Sequence, residues 1–151
     1  MREILFKAKR IDNGKWVEGY YVYHINRTIC HFGDSVKPED EQHVIMQDGF
    51  SDWNMPRDTV HFDIIPETIS QYTGLKDKNS KRIWENDIVK TKDGIMGKVV
   101  WHDDSAAFCL VPDKDEEDFL LLSYWIDEDE VEIIGNIFDN TGLLEQDGEE
   151  S

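Results

Sequence analysis

Cysteine is scarce: only Cys30 and Cys109 occur, far apart in the chain. One bridge between them stays open, but a disulfide framework is excluded. The sequence has no CxxC or HxxxH pair, the close spacing that structural zinc ligands usually take. Five histidines, at positions 24, 31, 43, 61 and 102, show no metal-site pattern, and Cys30-His31 is the only adjacency of the two residue types. No run of 18 apolar residues exists, so no segment is long enough to be a transmembrane helix. Basic residues are also short. Sixteen Lys+Arg stand against 33 Asp+Glu, a formal net charge of −17. Residues 1–65 hold 8 basic and 11 acidic groups, whereas residues 66–151 hold 8 and 22. That field repels polyanions, so direct nucleic-acid binding and docking on anionic membranes are both disfavoured.

What remains is ample for a folded protein. A chain of 151 residues with 39% hydrophobic residues, including five Trp, five Tyr and seven Phe, can bury a core without a covalent staple. The opening Met1–Arg10 is too charged for a signal-peptide core, so a cytoplasmic location with reduced thiols is expected. The Asn26-Arg27-Thr28 sequon then carries no meaning.

Strand signals dominate. Ile4, Phe6 and Ala8 alternate with mostly polar neighbours, Asp12-Asn13-Gly14 is turn chemistry, and Trp16–Tyr23 is rich in aromatics and Val. Residues 3–23 therefore read as a hairpin, with Thr28–Phe32 as a third strand. Residues 33–43 and 47–58 read as loops flanking a short strand, Val44-Ile45-Met46. The second loop carries Phe50, Trp53 and Met55. Such groups either tuck under the core or form a contact surface, and burial is the expectation. Val60, Phe62 and Ile64 alternate again, and Pro66-Glu67-Thr68 starts a helical turn.

Beyond Pro66, strands are predicted over 71–75, 82–84, 87–91, 97–101, 107–111 and 131–138. The Leu-rich stretch 118–126 fits helix or buried strand equally. Short strands joined by Gly, Asp and Asn turns imply a barrel or sandwich. The predicted fold is thus mainly β. A β-rich part over residues 1–65 packs on a small SH3-like β-barrel over 66–140, and 141–151 is a disordered acidic tail.

No motif carries chemistry. Asp127–Glu132 begins like an EF-hand loop but has Val131 at the fifth position and Glu132 where the loop needs Gly. Asp113–Asp118 lacks that Gly too, and both read as solvated acidic loops. Gly94-Ile95-Met96-Gly97-Lys98 has two residues between its glycines instead of four and a strand after it, so it reads as a hairpin turn, not a phosphate loop. No nucleophile elbow is present. Catalytic, cofactor-binding and metal residues are accordingly assigned to no position, and no cofactor is expected. Trp16, Tyr20, Tyr21, Tyr23, Trp84, Trp101 and Trp125 sit in or beside strands, where burial is the default. A surplus among them would line an interface.

Gln71-Tyr72-Thr73-Gly74-Leu75-Lys76-Asp77-Lys78-Asn79 and Ile83-Trp84-Glu85-Asn86-Asp87-Ile88-Val89 resemble the central signature of the YopX family of phage and prophage proteins. Arg2–Ala8 and Glu132–Phe138 are similar to its two ends. The resemblance implies a phage or prophage setting, an SH3-like C-terminal part and self-association, with no assigned mechanism. Ser80 and Asn86 stand where the family usually has Gly at turns. Asn tolerates a positive φ better than Ser, so a kept turn is expected at Asn86 and an altered one at Ser80.

The leading functional expectation is a non-enzymatic interaction or assembly module that forms a homo-oligomer and has a host or phage protein partner. The alternative is an acidic decoy whose carboxylates at 113–118 and 127–132 imitate nucleic-acid phosphates and occupy a host DNA-binding protein. A third class, a hydrolase or nuclease using carboxylates and a divalent ion, has less support.

Overall fold

The computed structural model describes residues 2–28, 33, 35–49, 53–55, 57–112, 120–128 and 130–146. The chain is mainly β, its strands antiparallel, and it divides into two compact units: Ile4–Ser70, and Met1–Glu3 with Gln71–Ser151. The division falls after Ser70.

In the N-terminal unit, β1 (Phe6–Lys9) and β2 (Trp16–Ile25) form the expected hairpin, with Ala8 opposite Val17 and Phe6 opposite Gly19. Its turn works as the residues require. Gly14 takes φ 67 and the Asn13 side chain accepts the Lys15 amide at 2.9 Å. The predicted third strand at 28–32 lies almost entirely outside the described residues.

The next strand, β3, runs Glu41–Asp48, longer than the three residues read from sequence, and pairs with both β2 and β4 (Thr59–Asp63). Its polar residues Gln42, His43 and Gln47 hid its length. They are held by cross-strand partners: Gln42 Nε2 donates to Asp63 Oδ1 and Gln47 Nε2 to the Glu18 carbonyl. A 3-10 turn at Pro38–Asp40 leads into β3. Arg27 Nε donates to Asp40 Oδ2 at 2.7 Å there, which holds that carboxyl below its usual range.

The four strands run in the order β4-β3-β2-β1. At one end the outer strands meet: Arg10 bridges Ile64, Ile11 N–H donates to the Asp63 carbonyl and Ile65 N–H to the Lys9 carbonyl. The expected turn at Pro66–Thr68 is a 3-10 turn whose Thr68 hydroxyl accepts the Lys9 amide. Ala8, Val17, Ile45 and Ile64 form the core, with Phe6, Tyr21, Phe62 and Ile69 around them.

The C-terminal unit opens with a hairpin of β5 (Ser70–Lys76) and β6 (Arg82–Trp84), where Tyr72 faces Trp84. Asp77 organises the intervening turn. Its Oδ1 accepts the amides of Asn79 and Lys81, both at 2.9 Å, and its Oδ2 accepts the Ile133 amide at 3.2 Å. Ser80 does keep the left-handed conformation, at φ 62, as does Asn86 at φ 72. Serine pays a steric cost there that glycine does not. Ser80→Gly is therefore expected to raise stability by about 0.5–1 kcal/mol despite glycine's unfolded-state entropy, a shift readable in urea denaturation.

A meander follows: β7 (Asp87–Thr91), β8 (Met96–His102), β9 (Ala107–Pro112) and the two-residue β10 (Leu120–Leu121). The ambiguous stretch, read as helix or buried strand, is a short exposed strand followed by a helix, because α1 (Leu122–Glu128) starts directly after β10 and both leucines of β10 are exposed. Strand β11 (Val131–Asn136) returns antiparallel to β7, giving the order β10-β9-β8-β7-β11. This five-stranded sheet is open, with β10 and β11 at its edges. Gly94 takes φ 90 in the β7–β8 turn, as a hairpin reading requires. Ile83, Val89, Val99, Leu110, Leu122 and Val131 form the core. Ile88 and Val89 point to opposite faces, and both are fully buried. Within the predicted tail, Leu143–Gln146 forms a short helix α2, and residues 147–151 lie outside the described set. Among the described residues no helix is long and apolar enough to cross a membrane.

The Glu85 carboxyl accepts the Gln71 amide at 3.3 Å, yet burial pushes its pKa up from the ordinary glutamate value, outweighing that bond. A raised folded pKa means stability present at low pH and lost as pH rises through the folded value. Glu85→Gln keeps the acceptor and removes the charge. The variant is expected to be more stable than the parent at pH 7 and equal to it near pH 3, as measured by thermal melts across pH.

Candidate interaction site

The β3–β4 hairpin carries the most exposed large apolar side chains described in the protein. Trp53 is 91% and Met55 65% exposed. This overturns the expectation that they tuck under the core, while Phe50 lies outside the described residues. The local chain explains the exposure. The Gly49 amide donates to the Asp58 carbonyl, closing the loop at its base, and Asn54 takes φ 75 between the two apolar residues. Arg57 pairs with Asp48 at 3.7 Å, also near the base. The loop is shut below its tip, so 53–55 project instead of folding back.

The other aromatics divide. Trp84 is 5% exposed and Tyr72 is buried with it, their rings 5.5 Å apart. Trp16, Tyr21 and Trp125 are half-buried. Tyr20, Tyr23 and Trp101 are exposed, against the burial default. Tyr20 falls on the opposite pleat phase from Val17, Gly19 and Tyr21, so it cannot reach the core they face. Two lysines cover the Trp16 ring, Lys7 Nζ at 4.6 Å and Lys9 Nζ at 5.4 Å from its centroid.

Sequence reasoning missed one polar network. Tyr23 lies opposite His43 across β2 and β3. The Tyr21 hydroxyl is 2.6 Å from His43 Nδ1, and the Tyr23 hydroxyl donates to Glu41 Oε1 at 3.1 Å. Desolvation, then the Glu41 charge, pushes the Tyr21 phenol up, and the hydrogen bond to Glu41 does the same for Tyr23. Both phenols therefore stay protonated near neutrality. A depression of about 310 Å³ beside His43 is lined also by Ile11, Gln42, Asp63 and Ile64. The hydrogen bonds of this network link neighbouring strands β2 and β3. The alternation of Tyr and His on facing strands was its only signal in the sequence.

Other candidates fall apart in space or out of view. His31, Cys30 and the acidic run 113–118 lie outside the described residues. His61 sits 3.4 Å from the Thr59 hydroxyl, and His102 Nδ1 2.9 Å from the Ser105 hydroxyl. Cys109 is buried, and burial raises its thiol pKa. Glu132 lies in β11 and pairs with Lys78 at 3.3 Å, its carboxylate thus engaged in the fold. No group of three His, Cys, Asp or Glu side chains able to hold a metal occurs among the described residues.

No curated protein matches the chain. The sequence model of the family described as YopX protein matches residues 5–145, which spans both compact units and every described strand. On that match the chain belongs to the YopX protein family.

Proposed function

We propose that this chain is a non-enzymatic interaction and assembly module of phage or prophage origin, forming a homo-oligomer in the bacterial cytoplasm. The observation that carries the reading is the exposure of Trp53 with Met55 at a closed loop tip. Burying a tryptophan covers roughly 150–250 Å², worth about 4–6 kcal/mol before the cost of association. Trp is also enriched where interface energy concentrates.

The C-terminal unit is proposed to be an SH3-like barrel opened between β10 and β11. Four consecutive strands in a meander, then a helical turn and a fifth strand returning beside the first, support that assignment. Direct nucleic-acid binding and membrane docking stay disfavoured by the charge.

Sedimentation velocity tests the assembly. Trp53→Ser changes a side chain with almost no folded-state contact, so the variant should fold. It is expected to weaken self-association tenfold or more, about 1.4 kcal/mol per decade. An unchanged association constant would exclude the tip from the interface.

A further inference from the structure

We infer that the β8–β9 hairpin of the C-terminal unit is a docking site for a cationic protein segment, one rich in Arg or Lys, which places such a side chain on the exposed face of Trp101. The inference rests on the interaction-module reading but uses a surface separate in sequence from the Trp53 tip.

The register builds the site. Trp101 faces Phe108, Val99 faces Leu110, and Leu110 faces Leu120 on β10. Pleating puts Trp101, Phe108, Leu110 and Leu120 on one face of the sheet. Leu110 is buried in the core, while Trp101 at 43% and Leu120 at 48% exposure form its open rim. Phe108 holds the Trp101 ring edge-to-face at 5.1 Å, so an arriving group meets an aromatic surface that is already ordered. Little entropy is then lost on contact.

The turn after β8 supplies charge. Asp103 and Asp104 are both exposed at its tip. Their presentation is fixed by the Ala106 amide donating to the Asp103 carbonyl at 3.1 Å and the Ser105 amide donating to His102 Nδ1 at 3.2 Å. A guanidinium or ammonium is the group that an indole face and carboxylates two and three residues further along the same hairpin recognise together.

Charge complementarity selects the occupant. From the start of β8, residues 96–151 hold 17 acidic groups against two lysines, Lys98 and Lys114. An anionic partner is repelled, and a second copy presenting this same face would set like charges together. A cationic segment is drawn in by the whole field and positioned by the indole.

The test uses the full chain and an Arg-rich decapeptide, with an equally long Glu-rich peptide as control. Binding is followed by NMR of the amides and the five indole N–H signals, and light scattering reports the assembly state of the same samples. The account expects the Trp101 indole and the amides of 101–108 to shift with the Arg-rich peptide only. Trp101→Ala should weaken binding about three- to fivefold, within the usual worth of an exposed cation–π contact. Should that variant lose its dispersed spectrum, Asp103→Asn with Asp104→Asn, confined to an exposed turn, decides: binding should weaken at least threefold. Absence of binding, or shifts elsewhere with unchanged affinity in the decisive variant, overturns the site. The Trp53→Ser variant separates the two readings, since it should lose assembly and keep the peptide affinity.

Discussion

Asp77→Ala is expected to lower the stability of the C-terminal unit by about 3 kcal/mol, roughly a 6–12 °C drop in Tm for a chain of this size. The Asp77 side chain is buried and its two oxygens accept three backbone amides. Two belong to its own turn. The third belongs to Ile133 on β11, and the Lys78 amide beside it donates to the Val131 carbonyl. One carboxylate thus closes a hairpin and fastens that hairpin to an edge strand. Hydrogen bonds to a charged group contribute about 1.5–3 kcal/mol each, but the turn amides can reach water once the acceptor is gone, so the sum is discounted. Asp77→Asn keeps an acceptor for the turn and presents an amide group to the Ile133 N–H, so an intermediate loss is expected. Guanidinium denaturation followed by tryptophan fluorescence measures both. A loss under 0.5 kcal/mol for the alanine variant, within the ordinary range of surface substitutions, would mean that β11 is held without this carboxylate, by its pairing with β7 and the Lys78 amide.

Gly19→Ala should cost about 2–3 kcal/mol, at the upper end of overpacking effects. A Cβ on Gly19 would sit 2.2 Å from the Met46 carbonyl oxygen and 3.0 Å from Ile45 Cγ2. The first obstacle is backbone and cannot rotate away, so β2 and β3 would have to separate where Tyr20 pairs with Met46. Gly14→Ala is the informative contrast. Nothing lies within 4 Å of its missing Cβ, but its φ of 67 is left-handed, so it should lose only about 1 kcal/mol. Equal losses at the two sites would refute the argument from close approach.

These residues also mark how far the sequence could be read. Turn chemistry and alternation placed β7, β8 and β9 within a residue or so of their observed ends, because Ile88, Val89 and Val99 are apolar for the reason that they are buried. The family's glycines at these turns pointed to a positive φ, which Asn86 keeps as expected; Ser80 keeps it too, where an altered turn was expected. Asp77, by contrast, looked like one more polar turn residue. Its bond to Ile133 spans 56 positions, and no local pattern encodes such a partner. Leu120, Leu121 and Leu122 form one apolar run, yet only Leu122 is buried, since the strand ends and the helix starts inside the run. Composition there gave no phase. The exposed site was missed for a related reason. A general tendency of aromatics to be inside predicts burial for Trp53 and Trp101, and only the closed loop base and the sheet rim reverse it.

Family membership and a β-built chain stand on the match over residues 5–145 and the two compact units. The assembly claim stands on an apolar loop tip. Sedimentation velocity of the parent chain at micromolar concentrations, repeated with Trp53→Ser, examines that claim most directly. The account predicts a concentration-dependent oligomer that the variant shifts toward monomer. A strict monomer for the parent chain would contradict it.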